Sequence, residues 1–355
     1  MINGYPRSVP ATTDATTVAT DRVVFRLPDT DPNVSGVRLW SEVPVAGKDF
    51  ERTADGWELD IPRPGAHRIE YLFRLSIGDD TVTIADPTNP LRIEGVFGEN
   101  SWLPMPGYAE PAWLTASPIE TRSQHWELAT ADGYLSGTLW APSDAPDDTE
   151  LPLLICHDGT QMAQFGRLAA FLATAVASHA IPPLRVLLLD PGPHRDARYA
   201  ANPHYAKALV TEVIPALADQ VAVENKPVLM GQSLGALAAL YAARRYPGSF
   251  AGLFLQSGSF FTPEFDPQEA GYSHWAAVTG FTSTLNRAEP HERIPISIVC
   301  GSEEENITNN RALAAHLAAR GGDIAWGEVP DGHTWTTWRD LLDPHLTRLL
   351  RRAWT

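Results

Sequence analysis

The spacing of hydrophobic positions changes near residue 120. From Arg22 to about Asn89, short runs alternate between apolar and polar residues, and clusters of Pro, Gly and Asp separate these runs: VVFRL, GVRLW, GWELDI and HRIEYLFRLSI. Alternation with a period of two is typical of strands that bury one face. The first part of the chain is therefore predicted to be an immunoglobulin-like β-sandwich.

The pattern beyond residue 120 is that of strands alternating with helices. Continuous apolar runs of strand length (LPLLICH, LRVLLLD, PVLMG, GLFLQS, ISIVCG) enclose segments with helical spacing, at 165–178, 203–218, 234–246 and 309–319. Runs without alternation indicate strands buried on both faces of a mostly parallel sheet. We predict an α/β domain over residues 119–355, after a sandwich domain that includes a packed linker and covers residues 1–118.

Composition narrows the class of protein. A net charge of -16 argues against binding to nucleic acid or to an anionic membrane, because both need a basic face. Cys156 and Cys300 each lie at the end of an apolar run. This placement favours buried thiols in a reducing compartment over a disulfide framework. Residues 1–21 lack the basic and apolar regions of a signal peptide. We expect a soluble cytoplasmic protein, and the oligomeric state stays open.

Candidate chemistry centres on GQSLG at residues 231–235. Ser233 stands between Gly231 and Gly235, after the strand-like PVLM and before an alanine-rich helical segment. A serine at a sharp strand-to-helix turn needs small neighbours, and the turn exposes its hydroxyl at the edge of the sheet. The pattern predicts a nucleophile elbow, with the backbone N–H of Leu234 beside any oxyanion that forms.

A serine nucleophile needs a base and an acid, in the chain order Ser, acid, His for this architecture. His333, in DGHTWTTW after the last apparent strand, is the best candidate base. Glu303, Glu304 and Glu305 follow a strand end, and any of them could reach the imidazole. The loop CHDGTQ is placed to supply a second oxyanion donor, the N–H of Gly159 or Thr160, while its His and Asp shape the loop.

Several segments together carry a family resemblance: HDGTQMAQ, PHRDARYAANPHYAKALVTEVIPAL, GQSLGALAALYAARRYPGSFAGLFLQSGSF, CGSEEENITNNRAL and DGHTWTTWRDLL. In this order they resemble the esterase D-like α/β-hydrolases, and most closely the enterochelin (ferric enterobactin) esterases. The stretch YLFRLSIGDDTVTIADPTNP is similar to the N-terminal domain of those esterases. The resemblance thus covers nearly the whole chain.

The resemblance implies cytoplasmic hydrolysis of the ester bonds in a ferric catecholate tri-lactone. No metal or organic cofactor would be needed, since iron would arrive with the substrate. It also implies site roles: Ser233 as nucleophile, His333 as base, Glu304 as acid, Leu234 and Gly159 as oxyanion donors, and Arg195 facing the siderophore. Relatives commonly carry a Glu-Leu pair where this chain has Arg198 and Tyr199.

Charge and aromatic residues leave more than one substrate class in consideration. A protein of charge -16 repels a trianion at long range unless its cleft is locally basic. Arg195, Arg198 and Lys207 could supply such a cleft, and the aromatic segment Phe260–Phe281 reads as an irregular cap over the site or as interdomain packing. Two alternatives remain. One is a carbohydrate or feruloyl esterase whose first domain binds glycan through Trp40 and Trp57, and the other is a non-catalytic binding protein.

Overall fold

The computed structural model describes residues 15–29, 31–285 and 293–354. The chain divides into two compact units. One runs to Ala109 and also contains Pro330–Gly332, and the other contains Glu110–Val329 and the residues from His333 onward. The domain boundary predicted between residues 118 and 119 stays a prediction. Residues 1–14, which make up most of the stretch inspected for a signal peptide, lie outside the described residues.

The first unit is built from two antiparallel sheets. The first sheet has the strand order β1-β2-β5-β4, and the second has the order β3-β6-β9-β8 with β7 also paired to β6. The strands are β1 (Thr17–Val18), β2 (Arg22–Pro28), β3 (Val34–Ser41), β4 (Glu51–Arg52), β5 (Gly56–Pro62), β6 (Arg68–Ile77), β7 (Asp80–Ile84), β8 (Arg92–Gly95) and β9 (Gly98–Pro104).

The alternating pattern of this unit produces its core. Every second residue is buried in β2, in β5 from Trp57 onward and in β6 from Tyr71 onward, and both sheets contribute side chains to one hydrophobic cluster. In that cluster the ring of Phe25 meets those of Tyr71 and Phe73 edge-on, at centroid distances of 4.9 and 6.4 Å. Trp57 is buried under the guanidinium of Arg52. The indole ring of Trp57 is therefore not exposed as a surface on which a glycan could stack.

The second unit is organised around an eight-stranded mixed sheet with the order β10-β11-β13-β12-β14-β15-β16-β17. The six strands β12 to β17 form parallel pairs with one another. At one edge of the sheet, β11 pairs antiparallel with β13 and with β10. The strands are β10 (Thr121–Thr130), β11 (Gly133–Pro142), β12 (Leu153–His157), β13 (Arg185–Asp190), β14 (Val228–Gln232), β15 (Gly252–Gln256), β16 (Pro295–Gly301) and β17 (Asp323–Val329).

Helices pack on this sheet and bury two hydrophobic clusters, one containing residues of α6 and the other residues of α2 and α10. The helices are α1 (Gly159–Gln164), α2 (Leu168–Ala177), α3 (Arg195–Tyr199), α4 (Pro203–Ala208), α5 (Ile214–Ala218), α6 (Leu234–Arg245), α7 (Trp275–Leu285), α8 (Ile307–Ala319), α9 (Trp335–Asp340) and α10 (Leu342–Ala353). A π-helical turn at Leu209–Val213 joins α4 to α5, and 3₁₀ turns occupy Ala112–Thr115, Gly192–His194 and Pro267–Gly271.

Two segments differ from their predicted form. The stretch Phe260–Phe281, read as irregular, contains the first part of α7, whose buried Val278, Phe281, Thr282 and Leu285 have helical spacing. The stretch Ser101–Ser117, read as a linker, holds the end of β9 and a 3₁₀ turn.

Two expectations from composition can be set beside the structure. Cys156 and Cys300 are buried free thiols, as predicted. Within the described part of the chain, no helix has both the length and the apolar character needed to cross a bilayer.

Candidate active site

Ser233 lies at a sharp turn between β14 and α6. Its backbone has φ 54° and ψ -122°, a strained combination for a residue with a side chain. A Cβ atom at Gly231 would lie 2.3 Å from the carbonyl of Gly235, and one at Gly235 would lie 3.1 Å from Cβ of His157. Close backbone approach therefore requires glycine at position 231, the side chain of His157 crowds position 235, and the turn has the geometry of a nucleophile elbow.

An imidazole and a carboxylate form the next part of the site. Nδ1 of His333 lies 2.6 Å from Oε2 of Glu304, whose side chain is almost completely buried. Because a carboxylate only accepts hydrogen bonds, Nδ1 carries the proton and Nε2 is left as an acceptor. This is the tautomer that can take a proton from a serine hydroxyl.

The structure distinguishes among the three candidate glutamates. Glu304 Oε1 accepts hydrogen bonds from the N–H of Gly301 and the hydroxyl of Ser257, each at 2.6 Å. Its other oxygen faces His333. Glu305 is exposed, and Glu303 accepts a hydrogen bond from the neighbouring Ser302. The register of the loop after β16 thus places Glu304, the residue implied by the family resemblance, against the imidazole.

The loop after β15 supplies two serines that the sequence reading did not single out. Ser257, with φ 47°, donates to Glu304 and accepts a hydrogen bond from Nε1 of Trp338 at 3.0 Å. The hydroxyl of Ser259 lies 3.2 Å from that of Ser233, and its N–H donates to the carbonyl of Ser233 at 3.1 Å. Both follow β15, the strand next to β14, so the carboxyl ends of neighbouring parallel strands place Ser259 beside Ser233 and Ser257 beside Glu304.

The loop after β12, His157–Thr160, is named the oxyanion loop here because Gly159 is its candidate donor. A Cβ atom at Gly159 would lie 2.2 Å from the carbonyl carbon of Leu188, so only glycine fits. Thr160 is tied to the carboxylate of Asp190 through its N–H at 3.0 Å and its hydroxyl at 2.8 Å. Gly159 begins α1 and Leu234 begins α6, and first-turn N–H groups are free of partners within their own helix. Both backbone N–H groups are thus of the type that can donate a hydrogen bond to an oxyanion.

His157 packs below the elbow. Its Nδ1 lies 2.8 Å from the carbonyl oxygen of Gly235, and burial lowers the pKa of the ring to about 4. The ring is therefore neutral at physiological pH, and Nδ1 donates to the carbonyl. This contact joins the oxyanion loop to α6, in keeping with the loop-shaping role predicted for His157.

The cations expected near the substrate have different surroundings. Arg195 donates from Nε and Nη2 to the two carboxylate oxygens of Asp158, both at 2.7 Å, and its side chain is 36% exposed. Arg198 is buried, where it donates to the carbonyl of Pro191 at 2.5 Å and pairs with Asp132 at 3.3 Å. Arg198 is thus placed to tie loops together, and the substrate contact predicted for it is left without support. Lys207 is exposed on α4.

The serine on a strained elbow, the histidine bound to a buried glutamate and the two helix-start amides lie in a unit of the α/β-hydrolase type. The family model named Esterase, described as "Putative esterase", matches residues 135–349. The chain belongs to this family. Within residues 15–29, 31–285 and 293–354, no group of three or more His, Cys, Asp or Glu side chains is placed to hold a metal ion.

Comparisons with individual proteins agree with the family. The chain is 29% identical over 266 residues to the iron(III) enterobactin esterase of Escherichia coli O6:H1 (strain CFT073), a match that covers 72% of this chain and 64% of that protein. The match thus spans less than two thirds of the relative. Among solved structures, the enterobactin esterase of Shigella flexneri, solved in the presence of enterobactin, has a TM-score of 0.74 at 21% identity and 96% coverage of both chains. The ferric enterobactin esterase of Salmonella typhimurium has a TM-score of 0.74 at 23% identity, covering 94% of this chain and 93% of that one.

Proposed function

We propose that this chain is a serine esterase that hydrolyses the ester bonds of a ferric catecholate tri-lactone such as enterobactin, and so releases iron in the cytoplasm. The names of the relatives supply the substrate class. The observation that carries the catalytic part is the 2.6 Å contact between His333 and Glu304, found in the same unit as a serine held on a strained elbow. A buried carboxylate that fixes an imidazole in this tautomer is what an acyl-transfer base requires.

The mechanism follows from these positions. Nε2 of His333 takes the proton of Ser233 as its oxygen attacks the ester carbonyl. The N–H groups of Leu234 and Gly159 stabilise the tetrahedral oxyanion, and the imidazolium is stabilised by Glu304. His333 then protonates the departing seryl alcohol, and an acyl-enzyme remains on Ser233. Water, activated by the same imidazole, resolves it and releases the acid.

Local charge and aromatic residues fit an anionic aromatic substrate. Arg195 keeps part of its guanidinium exposed although the chain carries a net charge of -16. Tyr272 lies near enough to Arg195 and Asp196 for both charges to act on its hydroxyl, whose pKa burial raises to about 12. The ring of Trp275 stacks on that of Phe261 at 6.2 Å. We assign this aromatic segment to the wall of the substrate cleft, where flat catechol rings can stack.

For the first unit we propose an immunoglobulin-like sandwich of the kind that precedes the catalytic domain in enterochelin esterases. Two antiparallel sheets that share one hydrophobic cluster support this assignment. Deleting this unit from the full chain tests its contribution to catalysis.

The test is a product analysis with two substrates. Wild-type protein and Ser233→Ala are incubated with ferric enterobactin and, separately, with a simple feruloyl ester, and products are identified by mass. We expect serine-dependent release of dihydroxybenzoyl-serine units. Turnover of only the feruloyl ester would retain the triad and remove the siderophore, whereas equal product from Ser233→Ala would remove the mechanism. Arg122→Ala, which replaces a half-buried arginine paired with Asp147, serves as the control for handling and folding.

A further inference from the structure

The contact between Arg195 and Asp158 has the geometry of a fork. Two nitrogens of the guanidinium meet the two oxygens of the carboxylate at 2.7 Å each, and the carboxylate is only 4% exposed. Paired parallel hydrogen bonds of this kind fix orientation as well as position. We propose that Arg195 is a positioning residue that holds the oxyanion loop through Asp158, beyond any contact that it makes with substrate. This inference rests on the proposed esterase function.

The backbone of Asp158 explains why the loop needs a clamp. Asp158 has φ 50° and ψ 40°, a left-handed conformation that costs a residue with a side chain about 1 kcal/mol or more. Such a conformation persists only where the surroundings hold it. Here Arg195 holds the side chain, and the N–H of Asp158 donates to the hydroxyl of Tyr199 at 3.2 Å. The guanidinium of Arg195 lies 5.4 Å from the centre of the same tyrosine ring.

Asp158 immediately precedes the candidate oxyanion donor. Gly159 thus lies between two anchored residues, because Thr160 is bonded to Asp190 on its other side. The carboxylate of Asp158 also packs beside the elbow, since a Cβ atom at Gly235 would lie 3.3 Å from Oδ2. Arg195 therefore acts on a carboxylate whose own residue precedes Gly159 and which lies beside Gly235, the residue after Leu234. Displacements of a few tenths of an ångström in such a donor weaken transition-state stabilisation.

The same contact limits what Arg195 can do as a simple anion binder. Nε and Nη2 are engaged by Asp158, and the remaining Nη1 lies 3.8 Å from a carboxylate oxygen of Asp196. Two carboxylates beside the guanidinium reduce the positive potential that it offers to a trianionic substrate. A positioning role acts on every ester, whether charged or neutral, and this difference makes the inference testable.

The experiment compares a neutral ester, 4-nitrophenyl acetate, with ferric enterobactin across Arg195→Ala, Arg195→Lys, Asp158→Asn and the Arg195→Ala/Asp158→Asn double variant. Asparagine tolerates the left-handed conformation, so Asp158→Asn removes charge without adding backbone strain. The matched control is Arg122→Ala, which also breaks an ion pair with an aspartate and has a side-chain exposure of 35%. Thermal unfolding of each variant checks that the fold is retained.

On the neutral ester we expect kcat to fall about 10- to 100-fold in Arg195→Ala, with KM changed by less than about threefold, because a misplaced donor acts on the transition state. The double variant should be no worse than Arg195→Ala, since both changes break one contact. Arg195→Lys should recover only part of kcat, because lysine restores charge without the fork. Arg122→Ala should match wild type.

Two results would overturn the inference. One is an unchanged kcat on 4-nitrophenyl acetate in Arg195→Ala with a raised KM for ferric enterobactin alone, which would make Arg195 a substrate binder only. The other is a normal kcat in Asp158→Asn together with a low one in Arg195→Ala, which would separate the two residues. A wild type that cleaves the neutral ester but not the siderophore would remove the proposed substrate, and a kcat loss in Arg195→Ala there would still support the clamp.

Discussion

Replacing Glu304 by glutamine exchanges one oxygen of the carboxylate for an NH₂ group and tests how the imidazole is oriented. Two donors, the N–H of Gly301 and the hydroxyl of Ser257, point at Oε1. An amide NH₂ group cannot accept them, so the amide oxygen must take the position of Oε1. The NH₂ group then faces Nδ1 of His333, where the wild-type protein has an acceptor oxygen at 2.6 Å.

An NH₂ group in that position donates to Nδ1 and leaves the imidazole proton on Nε2, the atom that must take the proton of Ser233. In a serine protease with the analogous replacement, the wrong tautomer lowers kcat about 10,000-fold, which corresponds to about 5.5 kcal/mol of barrier. We expect a loss of that order in Glu304→Gln, with the fold retained because both buried donors keep an acceptor.

The assay is steady-state hydrolysis of 4-nitrophenyl acetate, with burst titration to count active protein. Glu303→Gln is the matched control, because it makes the same change one residue earlier in the loop, on a carboxylate that accepts a hydrogen bond from the neighbouring Ser302. A Glu304→Gln protein within tenfold of the wild-type kcat would refute the reasoning, as would an equal loss in Glu303→Gln.

Three further perturbations follow from the geometry. Ser257→Ala removes a donor to Glu304, and we expect kcat to fall about tenfold for the loss of about 1.4 kcal/mol, measured on the neutral ester; an unchanged kcat would contradict this. Gly159→Ala should lose both stability and activity because its Cβ would meet backbone at 2.2 Å, whereas Gly280→Ala in a helix with open space should be stabilised by up to about 1 kcal/mol, both read by chemical denaturation. Since burial lowers the pKa of His157 from 6.5 to about 4, its contribution is complete above pH 6.5 and is lost as pH falls toward 4. The stability advantage of wild type over His157→Gln should therefore shrink by about 2 kcal/mol between pH 7.5 and 5, and a constant difference would show that the ring titrates normally.

The turn at Ser233 and the position of His333 after the last strand were predictable because their signals are local. GQSLG between a strand-like run and a helical run leaves one geometry for Ser233, and His333 follows the last strand in the required chain order. The choice among the three glutamates was not available from spacing alone. Shifting the loop by one residue would exchange which side chain meets the imidazole, and the hydrogen bonds that Gly301 and Ser257 donate to Glu304 fix the register.

Other parts of the site depend on contacts between distant segments. Arg198 is buried because Asp132, from the turn between β10 and β11, pairs with it, and nothing in the local sequence announces that partner. Ser259 meets Ser233, and Ser257 meets Glu304, after a strand that pairs with β14 in parallel register. A rule was available for these two serines, since residues just past neighbouring strand ends gather at one edge of the sheet. The helical spacing in α7 was likewise present in the sequence and was obscured by its aromatic, proline-containing approach.

The most direct test of the account is protection of Ser233 from a fluorophosphonate probe by ferric enterobactin. The probe reacts with a serine only where a base and an oxyanion site activate it. Labelling is followed by intact mass, and the modified peptide is sequenced, with Ser233→Ala and Glu304→Gln as comparisons. The account predicts one label, on Ser233, that forms slowly in Glu304→Gln and is delayed by saturating ferric enterobactin. A label on another residue, no label at all, or labelling that ferric enterobactin leaves unchanged would contradict it.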